Sequence, residues 1–176
     1  MIDIVVSLHN TPLLMAITVT YWVLTSFVVG YFASKISLKR LSLWERSYRI
    51  YPFELRGLLY ERYLFIRKWK RYLPEAGDMF KGGVSKRSLD FGASNAKVRF
   101  YLETKRAEFT HRYLIIFQLL PVFFWYSFFH EVVVAYALLA NTPCLIAQRY
   151  NRARLERLNP MIKEDGKTLA VSDEKT

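Results

Sequence analysis

Apolar positions fall into three uninterrupted blocks, separated by a basic, aromatic-rich stretch. From Leu13 to Ser34 there are 22 residues without a charge. A helix needs roughly 20 such residues to cross about 30 Å of hydrocarbon, so this block is expected to be a membrane span. The second block, Tyr113 to Phe129, and the third, Val132 to Gln148, are each 17 residues long. That is near the lower limit for a crossing. Only His130 and Glu131 lie between them, so the pair is expected to be a tight helical hairpin, fully spanning or re-entrant. Pro121 predicts a kink in the second block, and Asn141, Thr142 and Pro143 interrupt the third.

Between the first block and the hairpin the pattern changes. Leu55, Leu59, Tyr63, Ile66, Trp69 and Leu73 recur at helical spacing, and Arg56, Arg67, Lys70 and Arg71 lie mostly off that stripe. This predicts an amphipathic helix over 54–73, in the interface plane or against the bundle, bounded by Pro52 and Pro74. Residues 74–93 have the least regular pattern; Phe80-Lys-Gly-Gly83 is expected to be an ordinary turn, the weaker alternative being an anion site with Lys81, Lys86 and Arg87 nearby. Ser94 or Asn95 suits the N-cap of a further helix, which carries Glu103-Thr-Lys-Arg-Ala-Glu-Phe-Thr-His111 into the second span. Beyond Pro160 the tail is mixed in charge and poor in apolar residues, which predicts disorder. The fold class expected is an all-α integral membrane protein. It has about three transmembrane helices, one N-terminal and two in a C-terminal hairpin, with cytoplasmic amphipathic or interfacial helices. One membrane domain covers 1–176: a span at 13–34, a basic region at 35–112, spans at 113–129 and 132–148, and a cytoplasmic tail at 149–176, partly disordered.

Charge gives this pattern a direction. The chain of 176 residues is 52% hydrophobic and 16% aromatic, yet its net charge is +11. Residues 35–112 hold 19 Lys and Arg against 8 Asp and Glu. Basic residues beside a span mark the cytoplasmic side and meet anionic lipid there. The expected arrangement is a multi-pass protein of the bacterial cell membrane, with its N-terminus outside and its C-terminus in the cytoplasm. Segregated charge with abundant Phe, Tyr and Trp argues for a bilayer partner and against nucleic acid. The single cysteine, Cys144, sits in an apolar span as a packing residue, and no internal disulfide can form. No metal-ligand cluster or bound cofactor is expected.

The chemistry, if there is any, belongs at the membrane surface. On a helix Thr104, Glu108 and His111 share a face, flanked by Glu103 and Lys105. A carboxylate three residues before a histidine can orient the imidazole as a general base. A solvated, lipid-contacting face is the commoner use of such residues. The Arg67-Lys68-Trp69-Lys70-Arg71 cluster similarly suits a phosphate or a lipid headgroup.

Four blocks occur together in one order: Arg67-Lys-Trp-Lys70; Glu103-Thr-Lys-Arg-Ala-Glu108 with His111; Asn141-x-Pro143; and Gln148-Arg-Tyr-Asn-Arg152-x-Arg154-Leu155. The combination resembles the glycosyl-4,4′-diaponeurosporenoate acyltransferase family, over roughly residues 60–158. The resemblance implies acyl transfer to the sugar of a glycosylated carotenoid or similar glycolipid, from an acyl-CoA or acyl-carrier co-substrate. Catalysis is assigned to His111, Glu108 and Glu103, with Glu108 orienting His111. Substrate binding is assigned to Arg67, Lys68, Trp69, Lys70, Lys81, Lys105, Arg106, Asn141, Gln148, Arg149, Asn151 and Arg152. Among these, Lys105, Arg106 or Arg149 would stabilise the oxyanion. The rival readings are a non-catalytic basic subunit that binds anionic lipid or scaffolds partner enzymes and, third, a glycosyl or phosphoryl transferase; no Asp-x-Asp cluster favours the latter.

Overall fold

The computed structural model describes residues 2–73, 94–123 and 130–172, with side chains from Pro12 onward, Ser94 excepted. Every regular element among them is helical. The N-terminal block lies within α1 (Ile2–Ser34), which continues through Pro12. A short helix, α2 (Leu38–Leu43), follows, its first turn capped by the Ser37 hydroxyl, which accepts the Arg40 N–H at 3.3 Å. The centre of the molecule is α5 (Ser94–Gln118), packed on α1, α2, α6 (His130–Leu158) and α7 (Ile162–Ser172).

Polar contacts fix the directions. Arg106 of α5 meets the end of α1 at the Ile36 carbonyl, while Tyr21 and Trp22 donate to the carbonyls of Phe117 and Gln118. Thus α1 and α5 run antiparallel. The same logic holds for α5 and α6, where Glu108 meets Arg152 and Gln118 meets Asn141.

Pro12–Ser34 and His130–Leu158 are long and apolar enough to cross a membrane. In their most apolar windows only 22% and 28% of residues are buried within the protein. A core helix of a water-soluble domain would be mostly covered. Here Leu13, Leu24, Phe27, Phe32 and Leu139 are all exposed. An apolar surface of that extent marks contact with lipid or a partner. The second predicted span is not a third such helix among the described residues. α5 ends at Gln118, and Pro121 sits in a 3₁₀ turn, Leu120–Phe123, rather than in a kinked helix. Residues 124–129 lie outside the described residues. The third block does form a helix, and α6 passes through Asn141, Thr142 and Pro143 without interruption.

The amphipathic helix expected over 54–73 is instead four short pieces: a 3₁₀ turn (Pro52–Gly57), α3 (Leu58–Arg62), α4 (Ile66–Trp69) and a closing turn (Lys70–Tyr72). Left-handed backbone at Leu55, Arg56, Gly57 and Phe65 breaks the helical path. Gly57 needs its lack of a side chain twice over. Its φ is +92°, and a Cβ there would come within 3.3 Å of the Ala153 Cβ on α6. The expected stripe is accordingly split: Ile66 is buried with Tyr60, Ala147 and Tyr150, while Leu55 and Tyr63 face outward. The extended conformation before Pro52 is as the sequence requires, with Tyr51 at ψ 154°.

The tail also departs from expectation. Residues 162–172 form α7, which buries Ile162, Gly166 and Ala170, one every four residues, against α5 and α2. A helical face of that narrow width is enough to hold an otherwise polar segment. Leu38, Leu41, Val98, Tyr101 and Leu102 complete this part of the core.

Candidate active site

The seam between α5 and α6 gathers charges that would be costly to bury alone. Glu108 is fully buried, and both of its oxygens are engaged. Oε1 accepts from Arg112 and from Arg149 (3.0 Å), and Oε2 accepts from Arg152, itself fully buried. Arg149 also reaches a second buried carboxylate, Glu54, through Nη2 and Nε. The Tyr51 N–H (2.8 Å) and the Tyr60 hydroxyl donate to Glu54 as well. Three guanidiniums therefore share two carboxylates. Tyrosine rings complete the shell: Tyr48 lies under Arg112 and Arg152, and Tyr51 under Arg49 and Arg149. Burial alone would push the Glu54 carboxyl up. The hydrogen bonds from Arg149, Tyr51 and Tyr60 outweigh it and hold the group below the usual carboxylate range. Burial and the bond to Glu54 push the Tyr60 hydroxyl up to about 12.

His111 lies one turn beyond Glu108 on α5, but the two are not paired. The carboxylate that was expected to orient the ring is saturated by arginines. Asn141 of α6 takes that position, with His111 Nδ1 and Asn141 Oδ1 3.0 Å apart. Asn141 in turn donates through Nδ2 to Gln118 Oε1 (2.8 Å) and to the Ala137 carbonyl (2.9 Å). Burial pulls the His111 pKa down, against the smaller upward pull of the Asn141 bond. The shift favours the neutral ring, the form a general base requires.

Other expected site residues point elsewhere. Lys105 is buried in a separate cluster, donating to Glu45 and to the Leu41 carbonyl (3.0 Å). Burial lowers its pKa, against the pull of Glu45. Glu103 holds Arg106 in a two-pronged bond at 2.8 and 2.9 Å, and Arg106 also donates to Ile36. Burial raises the Glu103 carboxyl, against the pull of Arg106. Neither Lys105 nor Arg106 is thus turned toward His111 as an oxyanion donor, and Arg149 is committed to two carboxylates.

The 67–70 cluster diverges as well. Arg67 pairs with Glu61 (2.8 Å), and Lys68 lies exposed over Phe65. Trp69 packs beside Ile66 and Tyr150, and Lys70 donates to Asn151 (3.0 Å). Gln148 is half-buried on α6. Lys81 lies outside the described residues. Among those described, no group of acidic, histidine or cysteine side chains is arranged to hold a metal ion.

Sequence reasoning missed Glu54, Tyr60, Arg112 and Gln118. Two signals were available. Acidic residues are scarce in the basic region, so a carboxylate such as Glu54 has many cationic suitors. Gln118 is an amide inside an apolar block, where polar groups seek protein partners.

These observations define a class: a small protein, helical throughout its described residues, with lipid-type apolar surface and a half-buried histidine held beside an arginine–carboxylate hub. Residues 44–161 match the model of the glycosyl-4,4′-diaponeurosporenoate acyltransferase family. The match covers well over half of the sequence, and the chain belongs to that family. It is an acyltransferase. It is 28% identical over 150 residues to the glycosyl-4,4′-diaponeurosporenoate acyltransferase of a bovine strain of Staphylococcus aureus, covering 83% of this chain and 88% of that protein. Against the same enzyme of strain Newman the identity is 27%, with the same coverage. No solved structure matches.

Proposed function

We propose that this chain esterifies a sugar hydroxyl of a glycosylated carotenoid, or of a similar glycolipid, with a fatty acyl group at the membrane surface. The observation that carries the reading is the His111–Asn141 bond, which leaves Nε2 as the ring nitrogen able to accept a proton. In the reaction the sugar hydroxyl attacks the acyl carbonyl of a thioester, acyl-CoA or an acyl-carrier donor. Its proton passes to His111 Nε2 as the C–O bond forms. The tetrahedral intermediate then collapses, the C–S bond breaks, and the proton on His111 goes to the leaving thiolate. The arginine hub holds three guanidiniums against two carboxylates, and this net positive charge favours an anionic donor and the oxyanion at a distance, without a direct hydrogen bond from the hub.

The site also suits an amphiphilic acceptor. The sugar would sit at the headgroup level with His111 while its tail stays in the bilayer. Segregated charge supports a bacterial cell-membrane location, with the N-terminus outside and both the 35–112 region and the C-terminus in the cytoplasm. In that topology α5 runs outward and α6 is the return, in keeping with their antiparallel packing.

The test compares pigment and lipid extracts by mass spectrometry from cells making the wild type or His111→Ala at matched membrane abundance, supplied with glycosylated carotenoid. The wild type adds one fatty-acyl mass, and the variant loses about 10²- to 10⁴-fold in rate. Equal acylation by both would remove His111 from the chemistry. No acylated pigment with the wild type would reject the acceptor.

A further inference from the structure

A line of polar side chains runs from α1 to His111 through otherwise apolar helix contacts, and every bond in it has a direction. It starts at a backbone carbonyl. The Ser26 hydroxyl donates to the Trp22 carbonyl at 2.8 Å, so Ser26 Oγ is left as an acceptor. Gln118 Nε2 donates to that oxygen at 3.3 Å. Gln118 Oε1 therefore faces Asn141 and accepts Nδ2–H at 2.8 Å. The other N–H of Asn141 goes to the Ala137 carbonyl at 2.9 Å. With both amide hydrogens spent on acceptors, Asn141 can offer His111 only its oxygen, which lies 3.0 Å from Nδ1. Two acceptors cannot share a bond, so the proton of the neutral ring sits on Nδ1. The Gln118 main chain is held as well, where the Trp22 indole donates to its backbone carbonyl at 3.3 Å. Gln118 and Asn141 are both nearly or fully enclosed, so water does not replace these partners.

We propose that Gln118 and Ser26 are positioning residues for acyl transfer. They set the orientation of the Asn141 amide, which fixes His111 as the Nδ1–H tautomer with Nε2 free. The inference rests on His111 being the base, and it brings α1 into the site: the apolar N-terminal helix supplies the start of the hydrogen-bond chain as well as a membrane segment.

The experiment uses the full chain, labelled with ¹⁵N-histidine, in lipid nanodiscs at about pH 8, where a histidine of ordinary pKa is neutral. Ring signals are assigned to His111 by their loss in His111→Ala. The wild type shows protonated Nδ1 and bare Nε2; the opposite pattern in the wild type overturns the proposal without any further variant. Gln118→Leu, which offers Asn141 no acceptor, admits the second tautomer. It lowers kcat about tenfold, roughly the worth of one lost buried hydrogen bond, with KM for either substrate little changed. Gln118→Glu keeps an acceptor oxygen for Asn141 and recovers most of both properties. A Leu variant with unchanged tautomer and unchanged kcat also overturns the proposal. If the tautomer behaves as stated while His111→Ala stays fully active, the chain still sets the tautomer, but the base assignment and with it the role of Gln118 and Ser26 in acyl transfer are overturned.

Discussion

At the scale of single residues, His111 and its neighbours make a pH dependence that can be read in one direction. A base works unprotonated, and burial disfavours the charged imidazolium. The acid limb of kcat/KM should therefore fall below the ordinary histidine value of about 6.5, with a level rate through neutrality. A pH–rate profile of the solubilised enzyme checks this, and an acid limb above neutrality would show another group titrating. His111 was readable as the candidate base because a histidine at the junction of a charged helix and an apolar block is conspicuous. Its partner was not. Helical spacing favours Glu108, three residues away, but Asn141 is 30 residues away in sequence and becomes a neighbour only when α5 and α6 dock. The same holds for Lys105 and Arg106. Their charge suggested substrate contact, whereas Glu45, 60 residues back, and Glu103 claim them.

At the scale of elements, the arginine hub is the joint that fastens α5, α6 and the Pro52–Gly57 turn. Replacing Glu108 by Gln keeps the shape and removes the charge that balances buried Arg152. The loss should be about 3–5 kcal/mol, the usual cost of breaking a buried pair. Thermal melting in detergent should show a large drop in Tm, and an unchanged Tm would mean that the hub contributes little to stability. The apolar stretches of α1 and α6 were legible from charge-free length, and α5 begins where Ser94 suggested, but the same criterion carried the second block past Gln118, where α5 ends. The 54–73 segment was not, although its apolar stripe is real. Three non-glycine residues in left-handed backbone leave no mark on hydrophobic periodicity. They are held by what surrounds them, with Glu54 pinned by Arg149 and Gly57 pressed against Ala153.

On the scale of the whole molecule, charge segregation pointed to a protein with lipid-type surface, which the exposed apolar residues of α1 and α6 match, but not to how the 162–172 segment is used. The composition of 160–176 resembles a solvated tail, yet three small or apolar positions at four-residue spacing close the core. Ile162→Ala should cost about 2–5 kcal/mol and detach α7, because Ile162 is 1% exposed. Limited proteolysis should then cut faster between Leu158 and Ile162; unchanged cleavage would mean that α7 is held mainly by its other contacts. The arginine hub has one more consequence, for the order in which the chain is made. Glu108 is synthesised 41 residues before Arg149 and 44 before Arg152. A nascent chain halted before those arginines holds a carboxylate with only Arg112 to answer it. That carboxylate stays in water until α6 follows, so the last apolar helix to leave the ribosome is the one that lets the hub close.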